Sequence, residues 1–206
     1  MKDTKFAKIV LFINSLVPLA LLGWDGYHRR LGANPLEFVT RTTGMLTLVF
    51  LLLSLGVTPL RRATGWNWLT RFRRMVGLYA FFYGFLHFIT YVWFDRFFNL
   101  KSTAQDIIQR PFIAIGMLSF FLMIPLAVTS TNKMIRLLGG NRWTQLHRLA
   151  YVAGVGGVLH YYMLVKSDTR LPVRFAIVLG LLLGYRLFVK YQSSSPPPTT
   201  IRATPR

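Results

Sequence analysis

The sequence contains no cysteine, which excludes disulfides, thiolate metal sites and iron–sulfur clusters. Acidic residues are nearly as scarce, with 6 Asp and Glu against 25 Lys and Arg. The apolar segments hold no Asp or Glu suited to pairing with a membrane-embedded histidine, and proton pathways usually use carboxylates. Charge of either sign is sparse in six long stretches, residues 6–23, 44–57, 76–94, 111–128, 149–165 and 173–189, each nearly free of charge and followed by a basic or turn-rich break.

What fills those stretches is apolar. Hydrophobic residues make up 53% of the 206-residue chain and the mean hydropathy is +0.42, too apolar for an ordinary soluble domain. A helix rising about 1.5 Å per residue crosses the ~30 Å hydrocarbon layer with roughly 20 apolar residues. Lipid offers no partners to backbone N–H and C=O groups, so each segment must satisfy its own as a helix. The pattern predicts an all-α, polytopic membrane bundle of six transmembrane helices. The second stretch is the short one and reaches span length only with residues 38–43 or 58–60 added. Lys2, Lys5 and Lys8 before the first stretch resemble the basic flank of a secretion signal, but no small-residue cleavage site follows Leu22, and Trp24 and Tyr27 fit an interfacial belt.

The net charge of +19 invites a nucleic-acid partner, and the distribution of charge argues against one. With the N-terminus cytoplasmic, 16 of the 25 Lys and Arg fall on the inner side, while Asp25, Glu37, Asp95, Asp106 and Asp168 fall on the outer side. Positive-inside bias therefore predicts that both termini are cytoplasmic, with anionic membrane lipid as the natural partner of the excess charge. Residues 193–206, with a Ser-Ser-Ser-Pro-Pro-Pro run, read as a disordered cytoplasmic tail. Loops are short, leaving no room for a separate soluble domain.

Of the four histidines, His87, His147 and His160 lie in or beside the third and fifth stretches. Ionisable groups in a span face a cavity, a partner or a cofactor, and neutral imidazole is both the commonest metal ligand and the usual axial ligand of a b-type haem. Both stretches run in the same direction, so depth can be compared. His87 lies about 18 Å from Met75 and His160 about 20 Å from His147, which puts the pair at one level in the outer half of the bilayer. Two histidines from facing helices at one depth can hold one iron from opposite sides. His147 lies 13 residues earlier, at the cytoplasmic mouth of its helix, and the residue correspondingly placed before His87 is Arg74. On an ideal helix His147 and His160 stand roughly 140° apart, which requires tilt or an irregularity at Gly154, Gly156 and Gly157.

Other readings stand beside this one. A membrane histidine often serves only as an interhelical hydrogen-bonding group, and His28, beside Arg29 and Arg30, reads as a solvated interfacial residue. The three glycines suit cofactor space or close helix packing equally. The aromatic run at Tyr79, Phe81, Phe82, Tyr83 and Phe85 can line a pocket or face lipid. Arg73, Arg74, Arg142 and Arg148 are mainly interfacial anchors, with propionate or flavin phosphate binding as a lesser alternative. Against electron transfer through a bound haem stand two competing classes, a small transporter or proton channel with a His87–His160 relay, and a structural anchor with no cofactor.

With these residues in place, the sequence resembles the ferric reductase-like transmembrane proteins, and within them the haem-binding subunits of periplasmic protein-methionine-sulfoxide reductases. The resemblance rests on an ordered set. It begins with Arg41-Thr42-Thr43-Gly44 and Thr58-Pro59-Leu60-Arg61-Arg62, then Arg73-Arg74-Met75-Val76-Gly77-Leu78-Tyr79 leading to Leu86-His87. It continues with Arg110-Pro111-Phe112-Ile113, Gly116, Thr129-Ser130, Asn132, Trp143, Leu146-His147-Arg148-Leu149-Ala150-Tyr151 and His160-Tyr161. It implies a haem-binding transmembrane domain over residues 1–192 in a bacterial inner membrane, acting as a non-catalytic electron-transfer subunit. The implied cofactors are one or two haem b groups and FMN, and the implied ligand residues are His87, His147 and His160. The implied donor is the quinone pool or a cytosolic flavin reductase. The implied acceptor is a periplasmic molybdopterin-containing catalytic subunit that reduces methionine sulfoxide in oxidised proteins. The wider family adds a C-terminal FAD and nicotinamide domain, which the short Pro-rich tail here replaces, and carries two histidines on its third helix where this chain has one. The chain is therefore expected not to oxidise a nicotinamide cofactor by itself.

Overall fold

The computed structural model describes residues 2–95 and 99–194. Nine α-helices form among the described residues: α1 (Lys2–Tyr27), α2 (Pro35–Thr64), α3 (Thr70–Ile89), α4 (Leu100–Gln109), α5 (Pro111–Val128), α6 (Asn132–Leu138), α7 (Gly140–Leu146), α8 (Leu149–Leu164) and α9 (Arg170–Ser194). No strand occurs among them. The chain is a polytopic helical membrane protein, with five helices long and apolar enough to cross a bilayer, at Thr4–Tyr27, Pro35–Thr64, Asn67–Phe94, Pro111–Val128 and Arg170–Gln192. The remaining expected span forms α8, whose 16 residues rise about 24 Å, less than the full hydrocarbon thickness.

The stretch expected to be shortest is the longest helix. Asn34 accepts a hydrogen bond from the Glu37 N–H at 3.1 Å, Pro35 occupies the first turn, and Gly65 closes the far end at φ 73° with its N–H on the Arg61 carbonyl at 2.9 Å. These are ordinary start and stop signals, and they extend α2 through both residues 38–43 and residues 58–60. The outer loop holds α4, and the basic segment between the fourth and fifth spans holds α6 and α7. The proposed tail falls largely at residues 195–206, outside the described residues; Ser193 and Ser194 complete α9.

Four helices make the centre. α2 packs along α3, α5 along α8, α3 against α5 and α8 against α2, so α3 and α8 stand diagonally across a four-helix ring. Leu48, Leu51 and Leu55 of α2, Val76, Ala80 and Tyr83 of α3, Met123 of α5, and Ala153 and Val158 of α8 fill it. α9 docks on α8 and α2. α1 lies at the edge, tied by Tyr79 and Tyr83, whose hydroxyls donate to the Phe12 and Ser15 carbonyls at 3.0 and 2.6 Å. The aromatic run therefore divides. Tyr79 and Tyr83 stack on Phe50, Phe81 stacks on Phe120 of α5, and Phe85 is exposed. Leu53, Leu118, Val152 and Leu181 are exposed too, an outward apolar surface that suits lipid and not water.

Candidate functional site

His87 on α3 and His160 on α8 face one another across the ring, with centroids 6.2 Å apart and ring planes at 78°. Each imidazole backs onto a neighbouring helix. His87 Nδ1–H donates to the Thr40 carbonyl of α2 at 2.8 Å, and His160 Nδ1–H donates to the Phe112 carbonyl of α5 at 2.6 Å. A carbonyl cannot donate, so Nδ1 carries the proton in both rings and Nε2 keeps the lone pair that binds metals. This is the arrangement by which a backbone carbonyl orients a ligating imidazole and raises its basicity.

The two contacts share a local device. In an α-helix the carbonyl of one residue points at the residue four ahead, and four ahead of Thr40 and Phe112 stand Gly44 and Gly116. A Cβ at Gly44 would lie 2.9 Å from His87 Nδ1, and one at Gly116 would lie 2.6 Å from His160 Nδ1. Only glycine lets either ring reach its carbonyl. Both glycines belong to the ordered set of residues in the sequence, where nothing in their spacing indicates that they lie behind the histidines.

This geometry fits an iron held between two axial imidazoles. A ligating nitrogen stands about 2 Å from a metal and about 1.2 Å from its own ring centre, so two rings on opposite sides of one ion have centroids roughly 6 Å apart. The level is close to one end of the bundle. Thr40 is the sixth residue of α2, Phe112 the second of α5, and His160 four residues from the end of α8, each within about 8 Å of a helix terminus. Just beyond His87, Thr90–Asp95 widens into a π-helical turn.

His147 is elsewhere. It caps α7 at the opposite, basic end of the bundle, 13 residues before His160. The Trp143 ring stacks on it at 3.9 Å and 28°, and the Trp143 indole N–H donates to the Thr129 carbonyl at 3.0 Å. The Thr129 hydroxyl donates its only proton to the Pro125 carbonyl at 2.6 Å and so accepts from His147 Nε2–H at 3.2 Å. His147 thus has the opposite tautomer, with Nδ1 open. Burial first, and then repulsion from the Arg73 guanidinium, hold its pKa below the ordinary imidazole range, keeping it neutral at pH 7. Arg74, which stands where a second histidine of α3 would be, donates to the Asn132 amide oxygen at 2.6 Å.

The irregularity between His147 and His160 falls before α8 begins and not at its glycines. His147 and Arg148 form a separate turn, with 3.4 and 2.9 Å bonds from the Ala150 and Tyr151 N–H groups back to their carbonyls, while α8 continues unbroken through its glycines. Those glycines admit neighbouring helices. A Cβ at Gly154 would meet Leu179, one at Gly156 would overlap the Ser119 hydroxyl, and one at Gly157 would lie 2.9 Å from Leu48. His28 is exposed, its ring tilted at 38° against Trp24 with centroids 4.1 Å apart and Nδ1 on the Trp24 carbonyl at 2.9 Å, as an interfacial residue should be. No group of three or more His, Cys, Asp and Glu able to hold a metal occurs among the described residues.

Residues 41–158 match the model of the ferric reductase like transmembrane component family, a segment that contains Gly44, His87, Gly116 and His147 and ends two residues before His160. Over 190 residues the chain is 49% identical to the protein-methionine-sulfoxide reductase heme-binding subunit MsrQ of Herminiimonas arsenicoxydans, covering 91% of this chain and 87% of that protein. It is 52% identical over 189 residues to the MsrQ of Ralstonia nicotianae, with 91% and 87% covered, and 47% identical over 199 residues to that of Azospira oryzae, with 96% and 84% covered. Identity at this level, running through the two helix pairs that carry the histidines, means that the chain belongs to the ferric reductase-like transmembrane family and, within it, to the MsrQ group.

Proposed function

We propose that this chain is a membrane haem b electron-transfer subunit, with His87 and His160 as the axial ligands of one haem. The observation that carries the reading is the pair of opposed imidazoles, 6.2 Å apart, each with Nδ1–H on a carbonyl of a neighbouring helix. Bound haem supplies one-electron chemistry; the chain supplies ligands, orientation and an apolar surround. Thr40 and Phe112 fix the rotation of the rings, Gly44 and Gly116 admit them, and the leucines and aromatics of the ring exclude water. The level of the pair, within two helical turns of one end, suits electron exit at that face.

On the positive-inside bias, that face is periplasmic and both termini are cytoplasmic in a bacterial inner membrane. The acceptor is then a molybdopterin-containing methionine-sulfoxide reductase, and the donor is the quinone pool or a cytosolic flavin reductase acting at the basic end. His147, near that end, is the proposed protein ligand of a second haem, and FMN completes the cofactor set. Substrate chemistry belongs to the partner. A proton relay through His87 and His160 is disfavoured because both Nδ1 protons are committed to backbone carbonyls, which cannot pass a proton on.

The test is a reduced-minus-oxidised absorption spectrum of detergent-purified protein, with haem and flavin quantified on the same sample. A sharp b-type α-band in the wild type, largely lost in His87→Ala and His160→Ala, is the expected result. Folded protein with no haem signal despite ample haem during expression, or full haem in both variants, overturns the ligand assignment.

A further inference from the structure

The two opposed imidazoles are not held alike. The Thr40 and Phe112 carbonyls occupy the same place in their helices, each four residues before a glycine, and they accept the His87 and His160 Nδ1–H at 2.8 and 2.6 Å. By helix geometry each also accepts the N–H of that glycine, and a carbonyl oxygen has two lone pairs. At Phe112 those two donors fill them. At Thr40 there is a third donor.

That donor is the Thr43 hydroxyl. Thr43 is 1% exposed, so its single hydroxyl proton is shielded from solvent and goes to the backbone. The oxygen lies 2.7 Å from the Val39 carbonyl and 3.1 Å from the Thr40 carbonyl, a three-centre bond whose weaker branch falls on the oxygen that receives His87. The bond to Val39 alone is a local matter of α2; the approach to Thr40 couples the hydroxyl to the ring. The threonines on either side do not reach that carbonyl. The Thr40 hydroxyl donates to the Leu36 carbonyl at 2.8 Å, and the Thr47 hydroxyl to the Thr43 carbonyl at 2.9 Å. On α5 the residue three after Phe112 is Ile115, which has no hydroxyl to give. The longer of the two imidazole contacts is thus the one whose carbonyl is shared.

A shared acceptor is a weaker acceptor, because each added donor draws electron density from the same oxygen. An imidazole whose Nδ1–H is held less strongly is a less basic ligand at Nε2, and hydrogen bonding to an axial ligand is one of the means by which a protein sets a haem potential. A more basic ligand favours the oxidised, more positively charged iron. We propose that Thr43 is a positioning residue of the histidine pair: by sharing the Thr40 carbonyl with His87, its hydroxyl makes His87 the less basic of two unequal axial ligands and raises the haem potential. The proposal rests on His87 and His160 being the axial ligands, and it adds a side chain that touches neither the ring nor the haem.

The test is redox potentiometry of the detergent-purified, haem-loaded full chain, with haem content read from the b-type α-band of each sample. Thr43→Val keeps the branched shape and removes the hydroxyl, Thr43→Ser keeps the hydroxyl, and Ile115→Thr gives the Phe112 carbonyl the third donor it lacks. Thr43→Val is expected to lower the midpoint potential, by up to about tenfold in the redox equilibrium or about 59 mV for one electron. Thr43→Ser is expected to keep the wild-type value and Ile115→Thr to raise it, with haem content near wild type throughout. A role confined to helix packing does not move the potential in opposite directions on the two helices. An unchanged or raised potential in Thr43→Val, a shift in Thr43→Ser as large as in Thr43→Val, or an unchanged or lowered potential in Ile115→Thr overturns the proposal. Absence of the α-band from the wild type, or full haem in His87→Ala and His160→Ala, overturns instead the ligand assignment beneath it.

Discussion

The two ends of the central ring carry histidines in opposite states, and the contrast separates a site built around its imidazoles from one that secures an imidazole to its own scaffold. At the end near Thr40 and Phe112, two rings meet across the bundle, both with Nδ1 protonated and Nε2 open, and each has a glycine where a side chain would block it. At the basic end one ring stands without an opposed histidine, its Nε2 proton donated to Thr129, its face covered by Trp143 and its neighbours cationic. Imidazole alone therefore predicts little. The nitrogen left unpaired is decided by what the other nitrogen touches.

The largest test of this contrast is removal of the rings. His87→Ala or His160→Ala is expected to abolish most haem binding, whereas His147→Ala should leave the greater part of the b-type α-band; equal losses from all three would break the distinction between the two ends. Next come the glycines. Gly116→Ala places a methyl 2.6 Å from His160 Nδ1, and displacing the ring from its carbonyl is expected to weaken haem affinity by about 10–100-fold, the usual effect of losing an orienting contact. Gly44→Ala, at 2.9 Å, should do the same to a lesser degree, so haem titration of the two variants ranks the contacts. Alanine at either position with wild-type affinity would show that the close approach is dispensable.

The smallest effect belongs to the basic end. Thr129→Val removes the acceptor for His147 Nε2–H and should free that nitrogen for a metal. A gain or shift in a second haem signal at unchanged His87 and His160 ligation is the expected outcome, read by redox titration. An unchanged spectrum together with an unchanged His147 tautomer by nitrogen NMR would mean that Thr129 does not set the state of this ring.

The spans were legible because lipid enforces one rule on each of them, and uninterrupted apolar runs flanked by basic residues satisfy it locally. The shared level of His87 and His160 was legible for the same reason, since depth along a helix is a count of residues. Other features were not. α2 reads as short because Thr40, Arg41, Thr42 and Thr43 interrupt its apolar run, yet Asn34 and Gly65 cap it well outside. Thr43 buries its hydroxyl on the Val39 carbonyl at 2.7 Å, a local bond that hydropathy does not register. The glycines of α8 drew attention by clustering, and packing with other helices accounts for them; the glycines that matter to the histidines are isolated ones on different helices.

An all-α membrane protein, a charge bias between its two faces and histidines at matched depth could all be read from the residues alone, because each depends on composition and on distance along one chain. That α3 and α8 stand diagonally, that Thr40 and Phe112 accept the Nδ1 protons, and that Gly44 and Gly116 make room for the rings became visible once the helices were packed. The contacts of the two rings are relations between residues 43 to 48 positions apart, fixed by how helices pack side by side, and no count along a single helix contains them.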